Sequence, residues 1–174
     1  MRISRFLPVV VLALVAAVVT AFSLTACTGK AASAGIAPPV APVTVDLSTP
    51  QASVRTYLQF TSFAYRMANS DLATAAMTPD EGVRVDSYVQ LNREKDRGIE
   101  QQLLSFTERG VSQEGTRTLV AAAEKWRYRY FSLSKLTYLS PSYDASYDAT
   151  YTVVRQATGW LVDKVEAQPR GTVK

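Results

Sequence analysis

Residues 116–131 read Thr-Arg-Thr-Leu-Val-Ala-Ala-Ala-Glu-Lys-Trp-Arg-Tyr-Arg-Tyr-Phe, and the reading of this stretch decides the fold. Its even positions carry Thr116, Thr118, Val120, Ala122, Glu124, Trp126, Tyr128 and Tyr130, while its odd positions include Arg117, Lys125, Arg127 and Arg129. A period of two with one aromatic and one basic face marks a long β-strand that buries one side. The helix period is absent from this stretch.

Its neighbours continue the pattern. Gly98 to about Val111 alternates Ile99, Gln101 and Leu103 with Glu100, Gln102 and Leu104, and Gln113-Glu114-Gly115 turns the chain. After a loop at 132–142, Tyr143–Arg155 puts Tyr143, Ala145, Tyr147, Ala149, Tyr151 and Val153 on one face. The other face holds Asp144, Ser146, Asp148, Thr150 and Thr152. Antiparallel pairing of the two long strands with their apolar faces together would bring Arg127 and Arg129 near Asp148 and Asp144. Such cross-strand charge pairs contribute about 0.2–1 kcal/mol each and help to set register. A last strand, Trp160–Glu166, follows the turn Gln156-Ala157-Thr158-Gly159, and residues 169–174 form a polar tail.

The chain before Gly98 has the helical period instead. Ser48-Thr49-Pro50 supplies a hydroxyl cap followed by proline at the first helical position. Val54, Tyr57, Leu58, Thr61, Tyr65 and Ala68 then form one stripe over Gln51–Asn69, with Phe60, Phe63 and Met67 beside it. An apolar face this wide predicts a helix largely enclosed by a curved sheet. A short continuation through Met77 leads to Thr78-Pro79-Asp80-Glu81, a capping-box start for a helix to about Glu94 with Val85, Tyr88, Val89 and Asn92 inward. Arg93-Glu94-Lys95-Asp96-Arg97 alternates in sign and reads as a solvated helix end.

The N-terminal part is of another kind. Arg2 and Arg5 precede an apolar run from Phe6 to Phe22, 17 residues long, with Pro8 near its start. That is short for a membrane span and has the layout of a secretory signal. Leu24-Thr25-Ala26-Cys27 follows it and contains the one cysteine of the chain. This arrangement resembles the lipobox of bacterial lipoprotein precursors. The resemblance implies that residues 1–26 are a signal peptide and that Cys27 carries a diacylglycerol or acyl lipid. The positive n-region orients everything after Phe22 outwards. The expected location is extracytoplasmic, on the outer leaflet of the cytoplasmic membrane, with residues 27–47 as a flexible tether. Its composition, with Pro38, Pro39 and Pro42, buries too little apolar surface to order itself, and twenty such residues reach about 25 Å.

The residue inventory limits the chemistry. There is no histidine, so the commonest general base and zinc ligand are missing. With Cys27 assigned to lipid, thiol catalysis and thiolate metal sites go too. No metal site or cofactor is expected beyond the covalent lipid. After residue 26, 17 basic residues face 15 acidic ones, a net charge near +2, and no nucleic-acid partner is expected.

Helices followed by a meander of long antiparallel strands make an α+β fold, with residues 48–168 as its domain. The element order and the closing Gly159-Trp160-Leu161-Val162-Asp163-Lys164-Val165-Glu166 resemble the nuclear transport factor 2-like (cystatin-like α+β cone) superfamily. That resemblance implies N-terminal helices packed in a strongly curved, cone-like antiparallel sheet. It also implies one of three roles: a non-catalytic binding or assembly module, a small hydrolase, isomerase or cyclase, or a carrier of a small apolar ligand. Candidate pocket residues are Tyr57, Phe60, Tyr65, Glu124, Trp126, Tyr128, Tyr147 and Tyr151. Glu124 shares the aromatic face and, with a tyrosine, is the one candidate general acid or base. A β-bulge before Trp126 would turn it outwards. The favoured reading has no catalytic residue and an envelope protein as partner, with the oligomeric state open and a dimer allowed.

Overall fold

The computed structural model describes residues 36–171. Leu24–Cys27, the apolar run before it and the first part of the tether lie outside the described residues. Helix α1 (Pro50–Met67) and a 3-10 helix (Ser70–Ala76) come first, followed by α2 (Pro79–Arg93). Four strands close the chain: β1 (Arg97–Glu114), β2 (Arg117–Ser132), β3 (Tyr143–Gln156) and β4 (Gly159–Pro169). They form one antiparallel meander in the order β1-β2-β3-β4. The fold class is the α+β arrangement expected from the sequence, with helices packed on a curved sheet.

Both helix starts follow their caps. The Thr49 hydroxyl accepts from the Ala52 N–H at 3.1 Å, and Pro50 opens α1. Thr78 caps α2, but its capping box is half made, because the Thr78 N–H donates to the Val162 carbonyl of β4 at 2.9 Å. Glu81, free of that duty, turns inward and is buried. Tyr88, expected on the buried side of α2, is instead exposed and stands edge-on to Tyr65 at 5.3 Å. The charged cluster after α2 is not merely solvated. Asp96 adopts a positive φ of 52° and its carboxylate accepts from Ser132 and Ser134, while Arg97 already begins β1.

The strands run beyond their predicted ends, β1 to Glu114 and β4 to Pro169, with Arg170 N–H bonded to the Ser146 carbonyl. The alternation of β2 holds from Arg117 to Arg127. Thr118, Val120, Ala122, Glu124 and Trp126 are all buried on the face that meets α1. Bulges occur in both edge strands, between Leu103 and Ser105 and between Glu108 and Gly110 in β1, and at Asp163 in β4, where Thr152 and Val153 pair with Lys164 and Val162. Extra residues at the sheet edges bend it, while the inward set of β2 is preserved. Val54, Leu58 and Ala64 of α1 pack on Val120, Trp126, Tyr151 and Val153 beneath them. Each large apolar side chain enclosed there contributes about 1.5–3 kcal/mol.

On the outer face, Arg127 pairs with Asp144 in register and bonds it at 2.8 Å. Arg129 departs from expectation. Its guanidinium lies 3.3 Å from the centre of the Tyr138 ring and donates to the Ser140 carbonyl, and Asp148 pairs with Arg109 and Arg170 instead. Residues 36–47 have neither helix nor strand, yet the end of the tether is fastened. Asp46 exchanges backbone bonds with the Thr56 hydroxyl, and the Leu47 carbonyl accepts from the Trp160 N–H at 2.9 Å.

Gly98 sits opposite Phe131, and a Cβ there would fall 2.2 Å from the phenyl ring. Gly98→Ala is expected to lower stability by about 1–3 kcal/mol through overpacking. Adding Phe131→Leu should recover part of that loss in denaturant titrations, whereas strictly additive losses would show that the two residues do not oppose each other.

Candidate functional site

Two carboxylates lie inside the domain, and each is held by a tyrosine. Glu124, only 5% exposed, accepts from the Tyr151 hydroxyl of β3 through one oxygen. Its other oxygen accepts from Trp126 Nε1 at 2.7 Å. Glu81 accepts from the Tyr57 hydroxyl at 2.7 Å through Oε1, and its Oε2 meets Arg84 at 2.9 Å. The Tyr57 and Tyr151 rings then meet edge-on, with centroids 6.2 Å apart. One polar network therefore spans α1, α2, β2 and β3. An indole N–H is only a donor, and a carboxylate is only an acceptor, so donor and acceptor match at each contact.

Burial, followed by the neighbouring Glu124 carboxylate, pushes the Tyr151 phenol well above its ordinary range. Tyr57 rises for the same first cause, reinforced by Tyr65 and then Glu81. Tyr128 is raised by burial and by Tyr147, and Tyr65 by burial and Tyr88. These phenols are hydrogen-bond donors throughout the physiological range. Each Glu124 oxygen is already engaged by a fixed protein donor. The arrangement holds the layers together.

The open space lies elsewhere. A groove of about 620 Å³ runs along the seam between α1 and β1, lined by Arg55, Leu58, Gln59 and Ser62 on the helix and Gln101 and Leu103 on the strand. Trp126 closes its floor, and residues 40–44 cross it as a strap. A smaller cleft of about 260 Å³ continues towards Arg66 and Glu100. Of the residues singled out from sequence, Trp126 alone lines the groove. Tyr57 and Tyr151 belong to the core, with Phe60, Tyr65 and Tyr147 packed against it. Tyr128 stacks between Trp126 and Tyr143 at 6.2 and 5.6 Å. Cys27 lies outside the described residues. Sequence reasoning missed Glu81, Arg55, Gln59 and Gln101. Only Glu81 had a signal, its i,i+3 spacing to Arg84 behind the Thr78 cap. Among the described residues no three acidic side chains converge at metal-binding spacing.

The fold has counterparts among solved structures. The chain is similar to the intermembrane space region of the chloroplast protein ARC6, with 16% identity and a TM-score of 0.60, over 74% of this chain and 100% of that one. A ketosteroid isomerase-like protein from Erwinia carotovora atroseptica shows 14% identity and a TM-score of 0.48, over 75% of this chain and 100% of that one. An NTF-2 like protein from Shewanella oneidensis shows 12% identity and a TM-score of 0.44, over 68% and 98% of the two chains. No family model matches the chain, and no curated protein matches it in sequence. At these identities the likeness is one of fold and carries no chemistry.

Glu124→Gln sets an amide N–H₂ against one of two fixed donors, and Tyr151→Phe leaves a carboxylate oxygen unmet. Each is expected to destabilise the domain by about 1–3 kcal/mol. The double variant should lose clearly less than the sum, since the two changes remove one contact. Additive losses would mean that the side chains do not interact.

Alkali should act on the same network. The folded-state pKa of Tyr151 lies above its unfolded value of 10, so its contribution is complete below pH 10 and is lost as the pH rises further. Stability against denaturant should therefore fall above that pH, and the phenolate absorbance of the buried tyrosines should appear only with unfolding. Free titration of every tyrosine in the folded protein would contradict this.

Proposed function

We propose that this chain is an exported lipoprotein whose α+β domain is a non-catalytic binding or assembly module at the cell envelope. The lipid on Cys27 holds it to the outer leaflet of the cytoplasmic membrane, and an envelope component is its partner. The observation that carries the non-catalytic reading is the closure of the interior. The candidate base Glu124 is buried and tied through each oxygen to Tyr151 and Trp126, and the groove between α1 and β1 presents no carboxylate.

Other features support the reading. No helix among the described residues is long and apolar enough to cross a membrane. The ARC6 region of similar fold is itself an intermembrane space region. The strap from residue 36 enters the domain beside the groove, so the same segment that joins the domain to its anchor also borders the open surface.

Cells expressing the wild-type chain and given radiolabelled palmitate are expected to carry label on the protein in the membrane fraction. Cys27→Ser should carry none and should appear in the soluble extracytoplasmic fraction. Label persisting on Cys27→Ser would overturn the anchor.

A further inference from the structure

The groove between α1 and β1 has a direction. Helix α1 runs against β1, so that Arg55 lies over Phe106 with its guanidinium 4.6 Å from the ring centre. Leu58 faces Leu103 and Trp126 in the middle, and Ser62 meets Gln101 at the far end. Arg55 to Ser62 is two helical turns, about 10 Å. The volume lies within the roughly 300–1,000 Å³ usual for small-molecule sites.

The two ends differ in what they offer. At the far end, Gln101 Nε2 donates to the Ser62 hydroxyl at 2.9 Å, and that hydroxyl donates to the Leu58 carbonyl at 2.6 Å. Those polar groups are already bonded to each other. Arg55 is the one charged residue of the lining, it is exposed, and it has no carboxylate partner among the described residues. Resting on an aromatic face leaves the edge of a guanidinium free for an anion. Between the ends the floor is apolar, formed by Leu58, Leu103 and Trp126 with the uncharged Gln59 at its rim, and the strap over it is fastened only near its termini. Arg66 holds the Ala37 carbonyl at 2.7 Å, and Thr56 holds Asp46. Val40 and Val43, at 92% and 95% exposed, are turned to solvent instead of filling the space beneath.

From this we infer that the seam is a binding site for a free single-chain alkyl carboxylate. Its head group pairs with Arg55, its chain lies along Leu58, Leu103 and Trp126, and the strap folds Val40 and Val43 onto it. This rests on the binding-module reading and names the ligand class of that module.

The test uses the full chain reconstituted in phosphatidylcholine vesicles, with carboxyl-labelled octanoate as probe and protein-free vesicles as the partition control. Saturable one-to-one binding is expected, weakened roughly ten-fold or more in Arg55→Gln by loss of a charge-assisted bond. Neutral octanol should bind the two proteins alike. Octylammonium should bind neither, and Leu103→Trp, which fills the groove, should remove octanoate binding. No saturable binding above the control would overturn the site. So would equal affinity of wild type and Arg55→Gln, equal affinity for octylammonium, or binding unchanged in a folded Leu103→Trp. Failure of octanoate with palmitate still on Cys27 would strike this site and spare the anchored module.

Discussion

The inward side of β2 includes a carboxylate, and everything around position 124 answers to it. A charged or polar side chain enclosed among aromatic rings is tolerated only when its hydrogen bonds are met. Trp126, two residues along the same face, supplies one donor, and Tyr151, from the next strand, supplies the other. Both donors reach Glu124 only if β2 keeps its alternation and β3 keeps its register. The pair thus specifies the centre of the sheet as well as stabilising it. The Tyr57 hydroxyl does the same for Glu81 from the helical layer, and the edge-on rings of Tyr57 and Tyr151 join the two halves.

A closed centre decides where open space is left. The bulges of β1 bend the edge of the sheet, while α1 stays seated over Val120, Tyr151 and Val153. The seam along the bent edge is consequently underfilled, and the strap bridges it with few bonds. The outer face is different in kind. Its ion pairs, such as Arg127 with Asp144, are exposed and each contributes little. Polar order inside and an open groove at the edge are two results of one bent sheet.

Much of this was legible in the sequence because a period of two, once it runs as long as Thr116–Phe131, has only one structural solution. The same parity placed Glu124 inward and paired Arg127 with an aspartate of β3. Several features were not legible. A bulge depends on how one strand meets another, so those of β1 leave no local mark beyond Gly110. Glu81 looked like half of a capping box, and only the packing of β4 against Thr78 releases it to the core. Arg129 found an aromatic ring in the loop at 132–142, a partner that a strand pattern does not include. The groove residues Arg55, Gln59 and Gln101 are ordinary polar positions until the strap is laid beside them. The lipid proposed on Cys27 rests on resemblance alone.

The interior is sealed around Glu124, and one proton reports on it. The Trp126 indole N–H should exchange with deuterated water only as fast as the domain unfolds, with the Trp160 indole as the internal comparison. Exchange of the Trp126 proton within the folded state, at a rate near that of a free indole, would mean that water reaches Glu124. The interior would then be a working cavity, and the non-catalytic reading would lose its main support.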